Sequence, residues 1–370
     1  MKVLFNDLRP QWDAIKQSAM PELEDLLQNG PFISGKNVSE FEGMFASLCS
    51  TSYAIGVSNA TDGLKLVIQS LGYPTSAPIM IPANGYISDA LAASYIGHPI
   101  IPIDCDEYYN MDTGDLKKWI ALYPESIIIP VHFYGQPCDM LRIAEIASEK
   151  ATIIGDCSHA HGASIQGIPI GSFGIASVFS FYPTKNLGAM GDAGVIVTNN
   201  EKLYNNLKLL RDYGTTDTTD HIDYQYIGWN NRLDEMQALV LKHKLPYLGE
   251  WNKRRKEIAS LYDRGFHNLT FIKTPQIAPY ADGSVYYLYT IRVEKRNELR
   301  EYLSKQEIQT LIRYPLPVHK MSIFRELENI SCPLAENYSS EILSLPMHPF
   351  LTQDEIDYTI LGVRNFFKCQ

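Results

Sequence analysis

Several patterns that mark large classes of protein are missing from this chain. Its six cysteines (Cys49, Cys105, Cys138, Cys157, Cys332 and Cys369) are scattered over 370 residues, with no CxxC pair and no zinc-type spacing to a histidine. Neither a disulfide framework nor a cysteine-based metal site is indicated, and the thiols read as reduced, in a cytoplasmic protein. No apolar run reaches the roughly 20 residues that a membrane helix requires. The opening Met1-Lys2-Val3-Leu4-Phe5-Asn6-Asp7 meets an acid too early for a signal peptide. Positive charge is scarce. The 32 Lys and Arg against 42 Asp and Glu leave a net charge of −10, so nucleic acid and anionic membrane are poor candidate partners. No GxGxxG follows the first strand pattern, which disfavours a dinucleotide enzyme. Internal repeats and low-complexity tracts are absent as well.

What is present is an alternation. Residues 11–28 and 38–48 carry apolar positions at helical spacing, the first ending at Asn29-Gly30-Pro31. Short apolar runs then alternate with amphipathic segments: Tyr53–Val57, helix 61–71, Ile79–Pro82, helix 87–96, Ile100–Ile103, helix 113–120, Ile127–Val131, helix 139–149, Ala151–Ile154. Ile175–Phe181, Gly194–Thr198 and helix 201–212 continue the series. Runs apolar on both faces and separated by helices predict an α/β fold whose largely parallel sheet is covered on both sides. Residues 213–231 read as a long loop, a length usually kept for function. A long helix is expected from Leu233. Beyond it come Val285–Val293, helix 297–305, Ile308–Ile312, helix 335–343 and helix 353–367. This places a large domain at 1–245 and a smaller α+β domain at 246–370.

Two residues at strand ends carry the chemistry. Lys185 follows the run Ile175–Phe181, and Asp156 closes the run that ends in Gly155-Asp156-Cys157-Ser158-His159. An amine and an acid at neighbouring strand tips suit an aldehyde cofactor that forms an imine and needs its ring nitrogen kept protonated. Four further features point to the same edge. In Gly56-Val57-Ser58-Asn59-Ala60-Thr61, a small-residue turn opens a helix whose free N–H groups suit a phosphate. Thr61 has the ordinary alternative of being an N-cap. Ser180 is a candidate second phosphate donor, or else a buried strand serine. Tyr86 in Pro82-Ala83-Asn84-Gly85-Tyr86 is placed to stack on a flat ring, or to pack in the core. Gly228-Trp229-Asn230-Asn231-Arg232 offers polar groups to an anion, or a turn and helix cap. Open α/β sheets bind ligands at this kind of edge.

These residues stand within an ordered series of motifs: FNDLRPQ, PFISGKNVSEFE, GVSNATDGL, IPANGYISDALAASYIGHPIIPIDCD, IIPVHFYGQPCDM, GDCSHAHGA, FSFYPTKNLGAMGDAG, GWNNRLDEMQA, RYPLPVH and LSLPMHPFLT. In that series the chain resembles the DegT/DnrJ/StrS aminotransferases, fold-type I enzymes that use pyridoxal 5′-phosphate (PLP) and act mostly on nucleotide-linked keto-sugars. The resemblance implies an aspartate-aminotransferase-like large domain and a homodimer with shared active sites. It implies Lys185 as the Schiff-base lysine and Asp156 as partner of the pyridine nitrogen. Ala60, Thr61 and Ser180 would hold the phosphate with Asn230 of a second subunit, Tyr86 would lie against the ring, and His159 would sit near the phenolic oxygen. Tyr314 and His319 of Tyr314-Pro315-Leu316-Pro317-Val318-His319 would line the sugar pocket. That segment is similar to the branch that aminates C3 of a dTDP-linked 3-keto-6-deoxyhexose, with L-glutamate as donor. C4 amination of a dTDP-, UDP- or GDP-linked sugar is the alternative, and a non-catalytic PLP-binding regulator is the reading from another class. The chain also departs from the family pattern: Gly155 stands where an acid is common, Ser284 and Tyr287 where relatives carry histidines, and Arg313 where His is common.

Overall fold

A strand that is apolar on both faces is stable only between two layers of helix. The computed structural model describes residues 1–215, 224 and 226–368. Its central sheet contains β1 (Tyr53–Val57), β2 (Ile79–Pro82), β3 (Ile100–Ile103), β4 (Ile127–Ile128) and β5 (Thr152–Asp156). A small hairpin of β6 (Ser164–Ile165) and β7 (Ile168–Pro169) precedes the last two members, β8 (Ala176–Ser180) and β9 (Gly194–Thr198). The order across the sheet is β1-β9-β8-β5-β4-β2-β3. The run from β8 to β3 is parallel throughout, and β9 is antiparallel to both β8 and β1. Six strands therefore point the same way, and their carboxyl ends share one edge.

The helices up to residue 244 are α1 (Arg9–Asn29), α2 (Lys36–Cys49), α3 (Ala60–Leu71), α4 (Ile87–Ile96), α5 (Thr113–Leu122), α6 (Met140–Ala147), α7 (Glu201–Arg211) and α8 (Glu235–Lys244). Alternation along β8 divides the core. Val178 joins Ile55, Leu64, Val67 and Ile196 on one face. Phe179 joins Phe41, Phe45, Phe181 and Val195 on the other. On that second face Phe45 meets Phe179 and Phe181 edge-on at 4.9 and 5.1 Å. Such pairs add about 0.5–1.5 kcal/mol each beyond their burial. Glu235, buried at the start of α8, accepts from the backbone N–H groups of Gly35, Asn37 and Val38 at 2.8–2.9 Å. It supplies the cap that α2 lacks in its own sequence.

The remaining elements are α9 (Leu248–Phe266), β10 (Tyr289–Arg292), α10 (Arg296–Lys305), α11 (Pro333–Glu341), β11 (Ile342–Leu345) and α12 (Gln353–Lys368). The antiparallel pair β10 and β11 packs with α9, α10 and α12 around Tyr262, Phe266, Tyr289, Leu299, Leu343 and Val363. Val3, from the far end of the chain, enters this cluster and bridges Ile308.

Several boundaries differ from the sequence expectation. The helix expected to run on from Leu233 is two helices, separated by a 3-10 turn at Leu245–Tyr247. Pro246, which lacks an N–H, sits at that turn. The helix expected at 335–343 ends at Glu341 because Ile342 takes extended geometry and starts β11. Ile308–Ile312 is reduced to single bridges from Ile308 to Val3 and from Leu311 to Ser344. Of the loop expected at 213–231, residues 216–223 and 225 lie outside the described residues.

Candidate active site

The shared edge carries a cleft of about 550 Å³. Ala60, Thr61, Tyr86, Asp156, His159, Ser180, Lys185 and Tyr314 all line it. The sequence placed these residues along 255 positions (60 to 314), and the sheet brings them to one place because β1, β2, β5 and β8 end there.

Ala60 and Thr61 open α3. The N-cap is Asn59, whose side chain accepts from the Asp62 N–H at 2.9 Å. Thr61 is therefore not the cap, and its hydroxyl is free for a ligand. A Cβ on Gly194, at the start of β9, would come within 2.8 Å of the Asn59 carbonyl carbon and 3.0 Å of Ala60 N. Only glycine lets this turn lie so close to the sheet. Asn231, buried, accepts from the Ser58 N–H at 2.8 Å and fixes the turn from the other side. Ser180 ends β8, half-buried, and its Oγ accepts from the Tyr182 N–H at 3.3 Å.

Lys185 is delivered by the loop after β8. The Lys185 N–H donates to Tyr182 O at 2.9 Å, and a Cβ on Gly188 would meet Pro183 O at 2.3 Å, so the loop is a tight turn. Burial lowers the ammonium pKa, and the Arg313 charge adds to this, while Tyr287 and Asp156 oppose it. The result is an amine more readily deprotonated than an exposed lysine, as a nucleophile and proton carrier requires.

Asp156 ends β5, and its Oδ1 accepts from the Ser158 N–H at 2.8 Å. Gly155, before it, leaves room for a neighbour: a Cβ there would lie 2.8 Å from Ser177 Oγ on β8. A serine fills the space that an acid would take.

His159 is buried and packs, tilted by 39°, against Tyr287 at 4.5 Å between ring centroids. Its Nε2 lies 3.4 Å from Tyr314 Oη. Burial, reinforced by Lys185 and Arg313, holds its pKa well below the usual histidine range, so the ring is neutral. Tyr86, half exposed at 54%, tilts against Tyr314 at 5.1 Å. Its face is open to a ligand rather than consumed by the core.

Two residues stand apart from the cleft. Asn230 is exposed and bridges Asp212, and its neighbour Arg232 pairs with Asp212 at 2.8 Å. His319 does not line the cleft, contrary to the sequence expectation. It is fully buried, with Nε2 3.0 Å from Glu336 on α11. The turn that carries it is pinned by the Val318 N–H to Ala83 O at 2.8 Å, which directs His319 toward Glu336 while Tyr314 remains in the cleft.

The sequence analysis missed Asp89, Tyr287 and Arg313 as site residues, and all three line the cleft. Asp89, in the first turn of α4, is buried, and its Oδ1 has no hydrogen-bond partner. Burial, then the adjacent Asp156 carboxylate, push its pKa well above the carboxylate range, against a smaller opposing effect of Lys185. Burial beside a second carboxyl thus holds Asp89 toward its neutral form. In the unfolded chain Asp89 ionises near pH 4 (about 3.9 for a free Asp). Its contribution to stability is therefore greatest at low pH and falls as pH rises from about 4 toward the folded pKa. Asp89→Asn removes that fall. The cofactor-free variant is expected to melt near the wild-type temperature at about pH 4–5 and increasingly above it toward about pH 8. A melting-temperature difference that stays flat with pH would mean that Asp89 is ionised in the folded protein.

The residues fit PLP. Buried polar atoms without a partner, Asp89 Oδ1, Ser158 Oγ and His159 Nδ1, belong to residues of the cleft wall, and a lysine, an acid and a helix N-terminus surround them.

Comparison with known proteins agrees. Residues 13–364 match the DegT/DnrJ/EryC1/StrS aminotransferase family. A dTDP-3-amino-3,4,6-trideoxy-alpha-D-glucose transaminase of Streptomyces venezuelae is 35% identical over 370 residues, covering 99% of this chain and 96% of its own. A dTDP-3-amino-3,6-dideoxy-alpha-D-galactopyranose transaminase of Aneurinibacillus thermoaerophilus is 38% identical over 366 residues, covering 98% and 99%. The crystal structure of S. venezuelae DesV superimposes with a TM-score of 0.93 at 35% identity, covering 99% of this chain and 98% of that one. With an alignment that runs nearly end to end, the chain belongs to the DegT/DnrJ/EryC1/StrS aminotransferase family.

Proposed function

We propose that this PLP-dependent aminotransferase moves an amino group from L-glutamate to C3 of a dTDP-linked 3-keto-6-deoxyhexose, in the cytoplasm and as a homodimer. The observation that carries the reading is the pair of relatives above, both named as dTDP-3-amino-sugar transaminases and both aligned over at least 98% of this chain. Tyr314 supports it from the cleft, since the YPxPxH segment it opens is the one similar to that branch.

PLP, when bound, supplies an electron sink for the carbon that loses its proton. Each side chain has a part in making that useful. The Asp156 carboxylate, oriented by the Ser158 N–H and flanked by Asp89, would hold the ring nitrogen's proton. The N–H groups of Ala60 and Thr61, with the hydroxyls of Thr61 and Ser180, would hold the phosphate at the start of α3. Asn230, exposed and away from its own cleft, would complete that cradle in a second copy of the chain. Tyr86 and His159 would take the ring's surroundings, and Lys185 would carry the proton between donor carbon and cofactor. A regulator would need none of the lysine's depressed basicity.

The test is a panel of dTDP-, UDP- and GDP-linked 3-keto and 4-keto sugars incubated with L-glutamate, with NMR to locate the new amine. Amination at C3 of a dTDP sugar is the expected result. Amination confined to C4, or to another nucleotide, would replace the substrate assignment.

A further inference from the structure

Lys185 and Arg313 are the two Lys or Arg side chains among the described residues that line the cleft. They flank a single ring. Lys185 Nζ lies 4.5 Å from the centroid of Tyr287, and Arg313 Nη1 donates to Tyr287 Oη at 2.9 Å. Thr184 Oγ1 stands 3.4 Å from the same hydroxyl. Tyr287 is itself buried, so it is a fixed post between the two cations. Burial works against its ionisation, yet Lys185 and then Arg313 outweigh burial and lower its pKa, so the oxygen is a strong acceptor for the guanidinium. Arg313 is half-buried, and no carboxylate among the described residues pairs with it. Burial opposes its charge, and the groups that sustain it are tyrosines, Tyr287 first and then Tyr314 and Tyr182. A guanidinium has five N–H donors in a planar fork that matches a carboxylate. Here one is spent on Tyr287 and the Tyr314 hydroxyl also bonds the group, while the side chain as a whole lines the cleft.

An amino acid carries its amine and its carboxylate on one carbon. A donor whose nitrogen takes the place of the Lys185 amine therefore brings a negative charge within a few bonds of it, on the side where Arg313 stands. The diphosphate of a nucleotide sugar is a poorer match, because the whole sugar ring separates it from the reacting carbon. We propose that Arg313 binds the carboxylate of the amino donor, and of the keto acid it becomes, and that Tyr287 is the positioning residue that aims it. The inference rests on the aminotransferase reading and adds the donor subsite to it.

The test separates the two half-reactions in the PLP-loaded protein. Arg313→Gln is expected to lower kcat/KM for L-glutamate by about 100-fold, the loss typical of removing one partner of a charged contact, and to leave kcat/KM for the keto-sugar within about threefold. Arg313→Lys should recover part of the loss by charge alone. Tyr287→Phe should cost less, about fivefold, and again on the donor side only. Glutarate, which has carboxylates but no amine, is the binding probe, with dTDP as its control. Glutarate affinity should drop about tenfold or more in Arg313→Gln while dTDP affinity is unchanged. Weakened dTDP binding with intact glutarate binding would move Arg313 to the diphosphate, and unaltered glutamate kinetics would remove it from the donor step. Both outcomes overturn the proposal while a transaminating wild type leaves the function standing. A wild type that binds glutarate but transaminates no sugar would instead overturn the function.

Discussion

Lys185→Ala is expected to reduce turnover by at least about 10³-fold and to abolish covalent attachment of PLP. The magnitude follows from what one side chain does. General acid–base catalysis alone is worth about 10²–10⁴, and Lys185 is also the only amine lining the cleft among the described residues. Its surroundings suit the task. Burial depresses its basicity, the ring of Tyr287 lies 4.5 Å away, and the turn closed by Gly188 fixes its direction. Arginine at this position would keep a charge but could not lose a proton near neutral pH, so Lys185→Arg should be as inactive as Lys185→Ala. Borohydride treatment followed by peptide mass spectrometry reads the attachment directly. Wild type should carry the reduced cofactor on the peptide that contains Lys185, and the variants should carry none. Appreciable turnover in either variant would place the reactive amine elsewhere.

Asp156→Asn should leave the protein folded and able to bind PLP, yet lower kcat by about 10²–10³-fold. An amide is nearly isosteric and can still accept from the Ser158 N–H at 2.8 Å, so the wall of the cleft is preserved. What disappears is the negative charge proposed to face the ring nitrogen. Losing one preorganised electrostatic contact of this kind costs about 2.7–4 kcal/mol in the transition state, which is the stated range at 1.36 kcal/mol per tenfold. Both half-reactions should slow together, because the same proton is held in each. A slowed sugar step with an intact donor step would show that Asp156 acts on the substrate and not on the cofactor.

The parts of this site that were legible in the sequence share a property. Asp156 ends an apolar run, Lys185 closely follows one, and Ala60 and Thr61 begin a helix after one, so a strand-by-strand reading places them on an edge without three-dimensional information. Asp89 gave no such signal. It lies in Ile87-Ser88-Asp89-Ala90, where a polar residue in the first turn of a helix is ordinarily solvated. Its burial depends on how α4 approaches the end of β5, which is a tertiary fact. Tyr287 and Arg313 were visible only as departures from a pattern. Their contact joins positions 26 apart in the chain, and no local rule connects them. His319 misled because a histidine near an active-site tyrosine suggests a ligand, whereas the anchoring of Val318 to Ala83 decides where it points. The break at Pro246, by contrast, was written in the chain, and helical periodicity on both sides concealed it. The role proposed for Asn230 involves a second copy of the protein, which no single-chain reading supplies.

The reversal of β9 has one more outcome. Because β8 and β9 are hydrogen-bonded neighbours running in opposite directions, residues 181–193 leave the sheet and return to it side by side. Lys185 thus rides on a closed excursion whose two roots are already stitched together, and no crossover helix hangs from it. A protease that severed this segment would leave the scaffold standing while freeing the lysine from its aim, so architecture and reactivity are carried by separable stretches of chain.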